Sequence, residues 1–253
     1  MGMDRESGVT DRVVLRRLLG LFAALAGVCL LAGVSRMHPP AWQLAPLGGD
    51  VMRVREALSM FVFAPAISVI FWLIYRTLGR GRSHAAVDVL MVLCIYCLAC
   101  GMGMHDPANR MAFVYGRAGA LMPDVRRSLM FFDDQVGHWI FWSGFVLGTW
   151  VLGIQQAFAP LEQKMGAPWR VGLGAVSAAL LWVMLTNLWD EYPKTRVDLG
   201  VIAAAAALPL GVQVSWCRGM SLLRLPVLAV IYPAYLGSIA GTLVCWLIRY
   251  GRV

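Results

Sequence analysis

Two histidines and a set of carboxylates stand in this chain where an apolar sequence has no ordinary use for them. His138 is the only ionisable residue from Val136 to Ile154, one turn inside an apolar run. Asp134 lies four residues before it, so both fall on one helix face. That spacing supplies two metal ligands, or one ligand and the carboxylate that orients it. Asn187 and Glu191 repeat the i, i+4 arrangement further along. His105 continues a stripe of Cys94, Cys97 and Gly101 at steps of three, four and four. Small residues let membrane helices approach closely, so the stripe is expected to turn His105 inward. An ionisable group at the bilayer centre costs at least about 2.5–3.5 kcal/mol, and such groups normally face the bundle interior or a water-filled cavity.

Two histidines and carboxylates from several helices suit a zinc or other divalent metal centre. A metal-bound water would be the nucleophile and a free carboxylate the base. On this reading His105, Asp134 and His138 are the metal ligands and Glu191 or Asp190 is the catalytic base. Asp133, Asn109, Asn187 and Asp198 support them. The same histidine pair also suits haem ligation. Structural readings compete for several of these residues. Asp106 before Pro107 reads as an N-cap with proline at N1, opening a short interfacial helix. Asp133 reads as an acid favoured in a first helical turn. Asp190, Glu191 and Lys194 read as a solvated loop with an ion pair. His138 reads as a group hydrogen-bonded across the bundle. Cys94-x-x-Cys97-x-x-Cys100 has metal-motif spacing, but on an apolar helix it reads as small-residue packing.

The elements that must position these residues are membrane spans. The chain has 253 residues, 59% hydrophobic and only 14% charged; a soluble domain carries about 25% charged residues. A span needs about 20 apolar residues. Seven such runs occur, roughly 15–34, 57–77, 85–104, 132–154, 171–189, 197–216 and 224–248. The fold class is therefore all-α, a single polytopic membrane domain of about seven transmembrane helices. The run from Val13 to Val34 is too long for a signal-peptide core and reads as the first span. The six cysteines lie mostly in apolar runs and suggest no disulfide framework.

The net charge of +8 comes from 22 Lys+Arg against 14 Asp+Glu. No basic tract with interleaved aromatics accompanies it, so nucleic acid is not an expected partner. Basic loops beside spans account for the excess. The only lysines, Lys164 and Lys194, fall in loops. A retinal Schiff base needs a lysine in a late span, which excludes that class of seven-helix photoreceptor. Glycine-rich nucleotide loops, HExxH and GxSxG are all absent.

Parity of crossings divides the loops between two faces. Side A holds the N-terminal segment and the loops near 80, 162 and 220. Side B holds the loops near 45, 115 and 193. Lys and Arg divide evenly between them, but the four arginines before the first span favour side A as cytoplasmic. The expected location is an integral membrane one, in a bacterial inner (plasma) membrane, with the N-terminus cytoplasmic. By the same parity His105, Asn109, Asp133, Asp134, His138, Asn187, Asp190, Glu191 and Asp198 all gather at side B.

The junction of the third and fourth spans resembles the seven-helix membrane hydrolases of the alkaline ceramidase and adiponectin-receptor type. In that group a histidine ends one helix, an aspartate opens the next, and both serve a zinc-centred site. His105 and then Asp133 or Asp134 occupy the matching places. The resemblance implies a zinc-dependent hydrolase acting on a lipid. The chain departs from the pattern twice: the family's serine four before the histidine is Gly101, and no late HxxxH follows His138. A comparable site here needs His138 and Glu191 or Asp190 instead.

The function expected from these features is a metal-dependent membrane hydrolase of a lipid or other amphiphile, in lipid metabolism. The alternatives are a proton- or ion-coupled transporter, in which the acidic cluster handles protons or cations, and a non-catalytic membrane subunit that uses the cluster to dock a partner.

Overall fold

The structure is a computed structural model. It describes residues 11–47, 52–80, 84–117, 122–189, 195–215 and 219–250. It contains seven long helices: α1 (Asp11–Met37), α2 (Val54–Leu78), α3 (Ala85–Arg117), α4 (Pro123–Phe158), α5 (Ala167–Trp189), α6 (Thr195–Ser215) and α7 (Pro226–Tyr250). Six of them are long and apolar enough to cross a membrane; α6 is the seventh helix. Among the described residues there is no β-strand, only one bridge between Pro46 and Arg53. The all-α membrane bundle read from hydropathy is what forms. Lipid leaves no other solution for these runs, because every backbone N–H and C=O must be satisfied within its own segment.

Two helix boundaries depart from the sequence reading. Pro107 does not open a new helix. It lies inside α3, which continues to Arg117. Proline forfeits one backbone hydrogen bond and crowds the carbonyl four residues back; that carbonyl belongs to Gly103, whose surroundings are open. Asp133 is likewise not in a first turn, because α4 starts at Pro123. Its helix-dipole explanation therefore falls away.

Both α2 and α4 contain one π-helical turn, at Ser59–Phe63 and at Phe132–Gly137. In α2 the cause is local. Pro65 has no N–H to give to the carbonyl of Phe61, and the wider turn relieves the crowding. In α4 the turn ends at Gly137, where an added Cβ would lie 3.3 Å from the His105 Cβ on α3.

The helices form a ring. In packing order it runs α1, α2, α3, α4, α6, α7, α5 and back to α1, with α4 also touching α2 and α7. The largest fully buried apolar side chains cluster toward side A: Leu18 on α1, Ile74 and Leu78 on α2, Met91 on α3, and Leu225 and Leu228 on α7. Polar staples close the same end. Asp11 receives Arg80 Nη2 at 2.7 Å on one oxygen and the Glu162 backbone N–H at 2.8 Å on the other. Leu161 and Arg224 exchange backbone and side-chain bonds. The bundle is thus packed and stapled at side A. The residues that can do chemistry stand at side B.

Candidate functional site at the α3–α4 crossing

The site begins with glycines. A Cβ placed on Gly144 would meet the Cys94 carbonyl oxygen at 2.5 Å, the Leu98 nitrogen at 2.7 Å and the Cys97 Cβ at 2.9 Å. One on Gly101 would collide with the backbone nitrogen of Phe141. One on Gly137 would lie 3.3 Å from the Cβ of His105. Two helix backbones therefore touch along the Cys94–Cys97–Gly101–His105 stripe, as small residues at this spacing permit. Cys94 is buried and serves this packing.

At the side B end of the crossing, His105 Nδ1 lies 2.6 Å from Asp133 Oδ1. The contact is an ion-pair approach rather than a well-directed hydrogen bond. The Asp133 side chain is only 8% exposed and that of His105 18%. The His138 ring meets the His105 ring edge to face, with centroids 4.7 Å apart. A carboxylate on Nδ1 sets the imidazole tautomer and orientation and leaves Nε2 as the working nitrogen. Burial of Asp133 is tolerable because a polar partner, His105, lies directly against it.

The other expected members are placed as follows. Asn109 is on α3, one turn beyond His105, and exposed. Asp134 lies in the π-turn of α4, but its side chain is outside the described residues. Asn187 and Asp198 lie on α5 and α6 with side chains outside the described residues, and Asp190 and Glu191 are wholly outside them. The main packing partners of α5 are α7 and α1, whereas α6 packs on α4. Among the described residues, no group of three or more His, Cys, Asp or Glu gathers in a way that could hold a metal ion. Among the described side chains, the carboxylate that contacts His105 is Asp133, which the sequence reading ranked as supporting.

Two buried charges escaped the sequence reading: Glu56, 3% exposed and paired with Arg55, and Arg110. Arg110 is 7% exposed, with its guanidinium over the Phe113 ring at 5.6 Å. The i, i+3 Arg–Phe spacing was the available signal. Several ionisable and polar groups elsewhere have structural partners. Tyr75 donates to Asp88 at 2.8 Å, Thr149 and Tyr235 hydroxyls meet at 3.2 Å, and Gln156 accepts from the Val227 N–H at 3.0 Å. Ser143 is exposed on α4. The site stands alone in another respect too: no protein-family model, no curated protein and no solved structure matches this chain.

Proposed function

We propose that this chain is a membrane-embedded hydrolase of a lipid or other amphiphile, with His105, Asp133 and His138 as its centre. The observation that carries the reading is the 2.6 Å approach of a buried carboxylate to His105, with a second imidazole in ring contact. Buried carboxylate–histidine pairs have two well-established uses, orienting a general base and orienting a metal ligand. A divalent metal would draw on His105, His138 and Asp134. The proton transfers are assigned to the two imidazoles in ring contact. His105 takes a proton from water as the oxygen adds to the acyl carbon. Asp133 stabilises the imidazolium. Protonated His138 gives its proton to the departing oxygen, and acid and alcohol result. The resemblance to seven-helix membrane hydrolases supports the substrate class. So does the position of the site at the end of a span, where headgroups meet acyl chains.

The test is hydrolysis of lipid esters and amides by the purified chain, with His105→Ala and His138→Ala beside wild type and with metal content measured. Activity that survives chelation and is lost in both variants is expected. Activity abolished by a chelator and restored by zinc would replace the imidazole base with a metal-bound water.

A second reading, a proton-coupled transporter, draws on a separate observation: both π-turns, in α2 and α4, lie toward side B. Interrupted helices at one level are a transporter trait. Solute flux into proteoliposomes that is abolished by His138→Ala, without any hydrolysis, would decide for it.

A further inference from the structure

Helix lengths expose a second feature. At 1.5 Å per residue, the 33 residues of α3 span roughly 50 Å, against about 30 Å of hydrocarbon. Even a tilt of 40°, the upper end of the usual range, leaves about 38 Å to accommodate. Measured from Ala85, about 30 Å of hydrocarbon is used up near His105 by an upright helix and near Met111 by one tilted 40°. The remainder of α3 and the paired first turns of α4, which pack on each other, therefore stand outside it as a helical hairpin beside the His105–Asp133 site.

The α4 arm of this hairpin mixes two kinds of surface. Met122, Val125, Met130 and Phe131 are exposed large apolar side chains, Met122 at 72%. Arg126 and Arg127 are exposed among them, with one exposed carboxylate, Asp124, a turn before Arg127, so the arm carries a net positive charge. Arg126, Leu129 and Asp133 are spaced by three and four, so Arg126 shares the face that leads down to the site, about 10 Å along the axis from Asp133. Apolar side chains with interleaved arginines at the edge of the hydrocarbon match an anionic headgroup layer: the apolar groups reach the acyl boundary and the guanidinium groups the phosphate.

We infer that the hairpin formed by the end of α3 and the start of α4 is a docking surface for an anionic phospholipid, with Arg126 and Arg127 holding its headgroup phosphate at the mouth of the His105–Asp133 site. The inference goes beyond the hydrolase reading and does not depend on it, since it concerns which lipid docks and not what is done to it.

The test titrates the full-length chain, purified in neutral detergent, with phosphatidylglycerol or phosphatidylcholine and reads bound lipid by native mass spectrometry. Wild type is expected to retain phosphatidylglycerol in preference to phosphatidylcholine. Arg126→Gln with Arg127→Gln is expected to weaken that binding about 10- to 30-fold. Arg16→Gln with Arg17→Gln, an exposed pair near the start of α1, is expected to leave it unchanged. His105→Ala is expected to keep lipid binding whatever it does to turnover, which separates this inference from the hydrolase reading. Equal binding of the two lipids overturns it. So does loss of binding in the Arg16/Arg17 control to the same extent, or displacement of the lipid by inorganic phosphate.

Discussion

Asp133 and Asp134 are adjacent and chemically identical, and residue type alone does not rank them. The contact on His105 belongs to Asp133. Asp133→Asn keeps the shape but removes the charge that orients and stabilises the imidazole. It is expected to lower kcat about 10- to 100-fold with KM little changed, the usual range for an outer-shell carboxylate partner. Steady-state kinetics on a lipid ester substrate check this. A fall equally large in Asp134→Asn alone would move the centre to the other carboxylate. Here the sequence was legible only in part. It marked His105 and His138 through their isolation in apolar surroundings, but the approach of Asp133 to His105 falls in the π-turn, which has no pattern in residue types.

At the scale of elements, the α3–α4 crossing is the most constrained contact in the bundle. The neighbours that a Cβ on Gly144 would strike include backbone atoms of Cys94 and Leu98, which cannot swing aside. Gly144→Ala is therefore expected to destabilise the protein by about 1–3 kcal/mol, as overpacking does. Nothing lies within 4 Å of the same position on Gly27. Gly27→Ala is expected to be neutral or to stabilise by about 0.5–1 kcal/mol through helix propensity alone. Thermal unfolding in detergent compares them. Equal effects would mean that the helices do not touch at Gly144. The small-residue stripe ending at His105 was readable from spacing. The extension of α3 past Pro107 was not, because an Asp-Pro pair signals a helix start unless the preceding turn is already anchored, as it is here by its contacts with α4.

Across the whole molecule, one residue, Asp11, makes the polar ties that add to the apolar packing of α1 at side A. Asp11 binds Arg80 at the end of α2 and the backbone of Glu162 and Gln163 between α4 and α5. The groups are partly solvated, so Asp11→Asn is expected to cost only about 1 kcal/mol, read as a lower unfolding midpoint in detergent. A change within error would make the cluster an incidental surface contact. The ring of seven helices also requires α6 to cross the membrane. Reporter domains inserted between α5 and α6 and between α6 and α7 are expected on opposite sides. The same side for both would leave six crossings and reverse the parity on which the two faces were assigned.

The sequence by itself determined the membrane bundle, the number of helices and the positions of the two histidines. These follow from local hydropathy and from the cost of isolated polar groups in lipid, both properties of a short stretch of chain. Only the tertiary structure decided which carboxylate meets His105, that Arg110 is buried, and that α5 packs on α1 and α7 while α6 packs on α4. Those outcomes depend on helix rotation, on the order of helices around the ring and on one widened turn. All three are settled by contacts between residues far apart in the chain, and periodicity within a single helix does not record them.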